Sequence, residues 1–334
     1  MYPVKYINIS VKGINGYINL DKHKRVKNIF VENFVKALYS ALTNSNVTMR
    51  TVYGSTVSRN FKYGLLSYVE SGDWRGTQPV IFYGSGAFTE SPTNYNLQSL
   101  LYAAQVNYID VIEDVDYTSL ILGAKHSPPK DVEINEVGAG VRHGPNLGHC
   151  ILFTYKALSN TISRSKGIIY NDGYELRFGN IYTKWFVRTL MMGLLANNLY
   201  TSVGLPIKDI NGNISSVTSV KPIDQKGKII LGSGTKSPSP DDYYLESPIA
   251  EITSVSVGYG VDTNKNVAIL KFSGSIQPET TLEVNEIGVT MIITAKNETG
   301  DISPEILIFR QVLESSLTLS PQYQYSLTIN LEFG

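Results

Sequence analysis

Apolar and polar positions along this chain follow two periods. Val4, Tyr6, Ile9 and Val11, then Ile14, Tyr17, Ile18 and Leu20, fall at strand spacing and predict an opening hairpin around Gly13 and Gly16. The period then changes. Val31, Phe34, Val35, Leu38 and Leu42 share one helical face and leave Glu32, Lys36 and Ser40 on the other. Asn28 suits the N-cap of that helix, and Asn44 to Asn46 suit its end. A second helix is expected from about Thr183 to Asn197, with Trp185, Phe186, Leu190, Leu194 and Leu195 as its apolar content. After each helix the pattern is β. Val80–Tyr83 and Lys228–Leu231 end at Gly-Ser-Gly, and further short apolar runs follow, divided by Gly, Pro, Asn and Asp at intervals of about 8–15 residues. Val52 to Gly76 and Leu205 to Lys226 read as irregular excursions.

The two series say the same thing twice. Tyr83-Gly84-Ser85-Gly86 with Ser91-Pro92 recurs as Leu231-Gly232-Ser233-Gly234 with Ser239-Pro240. Glu133 to Gly138 recurs as Glu283 to Gly288, and Asn33 to Leu38 as Trp185 to Leu190. Leu152-Phe153-Thr154-Tyr155 aligns with Leu307-Ile308-Phe309-Arg310, and Tyr174 to Phe178 with Tyr325 to Ile329. These pairs keep their order at an offset of roughly 150 residues, the size of one ordinary domain. The expected fold class is therefore mainly β: two tandem homologous antiparallel β-sandwich domains, each preceded by one amphipathic α-helix. The boundaries are an N-terminal strand or arm at 1–29, a first module at 30–180 and a second at 181–334.

Composition narrows the function. The 334 residues carry 29 basic and 29 acidic side chains, so no positive excess exists to drive binding to nucleic acid or to an anionic membrane. Tyr is abundant at 22, which suits polar-aromatic contact surfaces. The N-terminus lacks a charged-then-apolar leader pattern, and the longest apolar run, around Leu190 to Ala196, is too short to span a bilayer. A single cysteine, Cys150, excludes an intrachain disulfide framework and reads as a small buried hydrophobe.

Candidate chemistry is thin. Gly232-Ser233-Gly234-Thr235-Lys236-Ser237 has the wrong spacing for a nucleotide phosphate loop and runs into Pro238 and Pro240. His143 and His149 flank a Gly-Pro loop that does not fix a metal geometry, and the second series has no His there. His126 precedes Ser127-Pro128-Pro129 and reads as a loop residue. Glu136 and Glu286, held at one place in both series, read as structural carboxylates that pin a turn. The Asn-x-Ser/Thr sites at Asn8, Asn46, Asn213 and Asn297 matter only if the chain is exported or glycosylated. No catalytic, cofactor-binding or metal-ligating residue is expected, and no cofactor.

One resemblance bears on function. Gly232-Ser233-Gly234-Thr235, then Ser239-Pro240-Asp241-Asp242-Tyr243-Tyr244-Leu245 with Pro248-Ile249, then Glu286-Ile287-Gly288, form the body of a pattern. It closes with Leu307 to Leu313, Leu317-Thr318-Leu319 and Tyr325 to Ile329. The whole resembles a recurring pattern in structural proteins of tailed phages and related archaeal viruses. It covers 181–334, and reaches 30–180 only through the repeat. Thr154 and Tyr155, where Phe309 and Arg310 stand, depart from it. The resemblance implies a non-enzymatic virion structural protein, made in the host cytoplasm. Its partners would be copies of itself in a symmetric oligomer and other capsid, portal or tail proteins, with no nucleic acid and no membrane span. A tandem pair of like modules would suit a ring or collar, with the opening strand free to pair with a neighbouring chain. The alternative is a receptor- or glycan-binding spike or fibre protein of the virion.

Overall fold

The computed structural model describes residues 2–21, 25–61, 77–86, 88–143, 150–190, 204–221 and 227–334. The fold is mainly β. In the first half it runs β1 (Val4–Asn19), β2 (Arg25–Phe30), α1 (Glu32–Thr43), β3 (Val47–Arg50), β4 (Thr56–Arg59), β5 (Thr77–Gly84), β6 (Leu100–Gln105), β7 (Tyr108–Glu113), β8 (Tyr117–His126), β9 (Val132–His143), β10 (Cys150–Arg164) and β11 (Tyr170–Gly179). In the second half it continues with α2 (Lys184–Leu190), β12 (Leu205–Lys208), β13 (Ile214–Val217), β14 (Ser219–Lys221), β15 (Ile229–Gly232), β16 (Pro248–Ile252), β17 (Ser256–Asp262) and β18 (Val267–Ile276). It ends with β19 (Leu282–Ile292), β20 (Thr294–Asn297), β21 (Gly300–Ile302), β22 (Glu305–Leu319) and β23 (Gln324–Phe333).

Two ladders are wired alike. β6-β5-β9-β10 in the first half and β16-β15-β19-β22 in the second are antiparallel throughout. Gly84 faces Glu136 in one and Gly232 faces Glu286 in the other. A second pair of ladders, β7-β8-β11 and β17-β18-β23, meets at β1. β1 runs antiparallel to β11 along Ile14–Asn19 and parallel to β23 along Val4–Ile14. Ile14 has Phe178 on one side and Phe333 on the other, so β1 lies between the halves. The register slips between Val11 and Ile14, where Gly13 takes φ 106, a left-handed conformation that glycine adopts without strain.

Several expectations change. The opening hairpin is one continuous strand, β1; the hairpin lies between β1 and β2, which pair from Gly16–Asn28 to Asn19–Arg25. The bulge shifts the alternation by one residue, the buried face passing from Val11 to Ile14 and Ile18, and such a phase shift at a glycine reads as a turn in the sequence. The arm is not free within the chain, because β23 covers one side of it. Asn28 sits buried in β2 instead of capping α1, which starts at Glu32 after Val31. The C-terminal signal holds: Asn44 is left-handed at φ 49. α2 is N-capped by Thr183, whose hydroxyl accepts from the Phe186 amide at 3.1 Å, and is described to Leu190; the expected extension to Asn197 lies outside the described residues. The described parts of the expected excursions hold strands: β4, which pairs with β3 just before the first excursion, and the antiparallel pair β12-β13 and strand β14 in the second.

One core spans both halves. Phe34 and Leu38 from α1 and Phe186 and Leu190 from α2 converge on Leu120, Leu176 and Phe178 and on Leu270, Leu331 and Phe333. Each helix also reaches the other half. Tyr39 of α1 packs edge-on against Tyr259 of β17, with ring centroids 5.0 Å apart. Arg188 of α2 forks onto Glu113 of β7 at 2.6 and 2.9 Å. The halves therefore share their apolar burial, and neither can be removed without exposing the other's core.

Candidate functional site: buried carboxylates

Glu136 and Glu286 have no solvent exposure, and each is used to hold a loop. Oε1 of Glu136 accepts from the amides of Gly86 (3.2 Å) and Ser99 (2.9 Å), and Oε2 from the amide of Gln98 (3.0 Å). Oε1 of Glu286 accepts from Gly234 (3.2 Å) and Ser247 (2.8 Å), and Oε2 from Glu246 (3.2 Å). Glycine is required opposite each. A Cβ on Gly84 would stand 2.4 Å from Oε1 of Glu136, and one on Gly232 would stand 2.5 Å from Oε1 of Glu286. The expected role, a carboxylate pinning a turn, is the role seen at both positions.

The two anchors differ in their last partner. Glu136 accepts from the Tyr155 hydroxyl at 3.1 Å; Glu286 accepts from Nε of Arg310 at 2.6 Å. Burial pushes the Tyr155 phenol up, and the Glu136 charge pushes it further, so it stays a neutral donor. Burial pulls the Arg310 guanidinium down, but hydrogen bonds to Glu286 and Asp242 outweigh it and leave it above its ordinary value. Arg310 also reaches Asp242 at 3.0 Å and the Lys236 carbonyl at 2.9 Å, so it ties the loop after β15 to β22.

The Gly-Ser-Gly-Thr-Lys loop is thereby spent. The amides of Thr235 and Lys236 donate to Oε2 of Glu246 at 2.9 and 2.8 Å, and the amide of Gly234 to Glu286. These N–H groups point at the chain's own carboxylates, where a phosphate cradle would need them free.

A third buried carboxylate was not expected. Asp172 of β11 is fully buried and accepts four hydrogen bonds. Oδ1 takes Arg164 Nη2 (2.9 Å) and the Asp21 amide (2.8 Å); Oδ2 takes the Tyr83 hydroxyl (2.6 Å) and His126 Nε2 (2.8 Å). Burial pushes the Asp172 carboxyl up, but the bonds from His126, Tyr83 and the Asp21 amide, with the Arg164 charge, hold it below its ordinary value. Tyr83 stacks on Tyr102 at 4.5 Å, and Arg164 lies over the Tyr170 ring at 3.8 Å. His126 is thus the last residue of β8 and lies inside; the loop reading from its Ser-Pro-Pro neighbours is corrected, because β8 continues to pair with Tyr170 of β11.

The cluster has apolar counterparts. Strand pairing sets Tyr83 beside Val137 and Leu231 beside Ile287, and Arg164 beside Val132 and Leu319 beside Leu282. It sets Asp172 beside Ala124 and Leu327 beside Gly274, and His126 beside Tyr170 and Ile276 beside Tyr325. The second half carries Leu231, Leu319, Leu327 and Ile276 where the first carries Tyr83, Arg164, Asp172 and His126. This register also corrects the sequence alignment of the last strands. The Tyr325 hydroxyl accepts from the Ser320 amide at 2.8 Å, and the residue that repeats this is Tyr170, with the Ser165 amide at 2.9 Å, and not Tyr174.

What this arrangement can do chemically is hold strands. All four carboxylate lone-pair positions of Asp172 are occupied, which leaves no acceptor for a proton from a substrate. Cys150 is buried, and burial pushes its thiol up to about 11. The His143 side chain and residues 144–149, including His149, lie outside the described residues. Among the described residues no group of three His, Cys, Asp or Glu side chains is placed to hold a metal. Among the described residues, no His, Asp, Glu, Lys or Arg lines a cleft of about 420 Å³ beside Tyr39, Leu42, Val257, Phe272 and Met291. Among the described residues no helix is long and apolar enough to cross a membrane. No family model, no curated protein and no solved structure matches this chain.

Proposed function

We propose that this chain is a virion structural protein, built of two homologous helix-plus-sandwich modules. It would act by packing against copies of itself and against other capsid, portal or tail parts. The observation that carries this reading is the placement of β1. It is antiparallel to β11 and parallel to β23, so β11 and β23 run opposite ways on its two flanks. A two-fold axis perpendicular to the strands reverses their direction, so a single strand between two strands that it relates is parallel to one and antiparallel to the other. The matched anchors at Glu136 and Glu286, the matched turns at Ser91–Asn94 and Ser239–Asp242, and the exchange of α1 and α2 across the centre support the same relation.

A body of this kind presents like surfaces twice on one rigid frame, which is useful for assembly. The strand directions favour a two-fold relation between the halves over the stepwise rotation of a ring, so the ring or collar expectation is dropped. The resemblance of 181–334 to phage and archaeal-virus structural proteins supplies the setting. The spike alternative loses its aromatic platform in part, because Trp185 is buried at 6% exposure. Mass spectrometry of purified particles tests the reading: the chain should be present in many copies per particle, and its absence would reject it.

A further inference from the structure

We propose that the open edge of β1, from Val4 to Ser10, is a self-pairing surface at which two copies of the chain join antiparallel about Ile7. β23 covers one side of this segment, from Val4–Gln324 to Val11–Leu331. On the other side β11 pairs only from Ile14 onward and ends at Gly179; among the described residues no strand continues that line. The Gln324 amide donates to the Pro3 carbonyl at 3.2 Å, so Pro3 faces β23. Backbone direction alternates along a strand, so Lys5, Ile7 and Ile9 also face β23, and Val4, Tyr6, Asn8 and Ser10 turn both N–H and C=O to the open side.

This edge is unguarded where the edges at β7 and β16 are guarded. β7 carries Asp110 and Glu113, and β16 carries Pro248 and Glu251, the residue types that discourage pairing. From Val4 to Ser10 the only charge is Lys5, and its ammonium is held over the Tyr323 ring at 3.7 Å. Tyr2, Val4 and Tyr6, on one face of the strand, are exposed at 52%, 45% and 78%. A tyrosine so exposed beside unpaired backbone marks a contact surface.

The occupant that fits is a second copy, because the segment is complementary to itself. An antiparallel ladder centred on Ile7 sets Val4 opposite Ser10 and Tyr6 opposite Asn8, twice by symmetry, and satisfies every outward-facing backbone group. It sets Lys5 opposite Ile9 and brings the two Tyr6 rings into diagonal contact. Centring the ladder on Lys5 would oppose two ammonium groups, which disfavours that register.

The proposal deepens the self-assembly part of the function above. Its test is sedimentation of the full chain beside two variants. Asn8→Pro removes an N–H from the open side only, as a proline is tolerated at a sheet edge; Ile7→Cys sets two thiols across the axis at a spacing that a disulfide can bridge. The full chain should be a dimer, Asn8→Pro should weaken dimerisation at least tenfold with its melting curve retained, and Ile7→Cys should cross-link under mild oxidation. A monomeric full chain, or a dimer in which Ile7→Cys does not cross-link, overturns the proposal, and the cross-link decides alone if the proline variant fails to fold. A folded Asn8→Pro that dimerises undiminished also overturns it, and leaves another partner's strand as the edge's occupant. Absence from particles would reject the virion reading and leave the dimer result standing.

Discussion

Nε of Arg310 lies 2.6 Å from Oε2 of Glu286, with both side chains withdrawn from solvent. At the matching place in the first half the partner of Glu136 is the neutral hydroxyl of Tyr155. Among the described residues, one loop-anchoring carboxylate is therefore compensated by a full charge and the other by hydrogen bonds. Glu286→Gln weakens a buried charge pair that Asp242, 3.0 Å from the same guanidinium, compensates only in part, so it should cost more than the about 1–3 kcal/mol of weakening one hydrogen-bond set around Glu136. Urea denaturation should rank Glu286→Gln as more damaging than Glu136→Gln. Equal losses would contradict the distinction.

Gly84 and Gly232 should resist even one methyl group. Their Cβ positions fall 2.4 and 2.5 Å from the anchoring carboxylates. Gly84→Ala and Gly232→Ala should each destabilise by about 1–3 kcal/mol or more through overpacking. Gly167, whose Cβ position meets nothing within 4 Å, has φ 83, so Gly167→Ala separates backbone strain from collision. The anchor variants should lose more stability in thermal melts than Gly167→Ala.

The charged cluster of the first half should be replaceable as a set but not singly. Asp172→Leu alone leaves Arg164 buried and uncompensated and should cost about 3–5 kcal/mol. Adding Tyr83→Leu, His126→Ile and Arg164→Leu, the set present in the second half, should recover at least about 2 kcal/mol of that loss, since apolar replacements of buried ion pairs are often neutral or better. A quadruple variant less stable than Asp172→Leu would show that the two sites are not equivalent.

Acid stability should report Asp172. Its carboxyl is held below its ordinary value in the folded chain, so its contribution is complete above the unfolded carboxylate range, near pH 4, and is lost as pH falls through the lower folded value. Asp172→Asn removes that term. The slope of stability against pH below about 4 should be shallower in the variant than in the parent, read from urea midpoints across the acid limb.

Cys150 should be silent in the native state. It is fully buried, with its thiol pushed up to about 11 by burial. A thiol reagent at pH 8 should label it only at the rate of unfolding, and in full once the chain is denatured in urea.

The β content, the end of α1 at Asn44 and the roles of Glu136 and Glu286 were legible because each rests on local chemistry: alternation, an αL asparagine, a carboxylate beside a glycine. The Asp172 cluster was hidden for a definable reason. Aligning Tyr174 with Tyr325 slid the last strand by four residues relative to the hydrogen-bonded register of Tyr170 with Tyr325. An even slip preserves the inward and outward faces, so the apolar pattern matched equally well and Asp172 was never set against Leu327. The aligned pair Tyr170-Asn171-Asp172 and Tyr325-Ser326-Leu327 was the signal that could have found it. The parallel pairing of β1 with β23 joins residues some 320 positions apart, and neither segment carries a local mark of the other.

The proposed role is that of a repeated structural part of a virus particle. A cryo-electron microscopy map of purified particles tests it most directly. The account predicts symmetric density in which the β7-β8-β11-β1-β23-β18-β17 sheet fits in many copies, with β1 edges of neighbouring copies in contact. A resolved particle map in which every density is taken by other chains would contradict it.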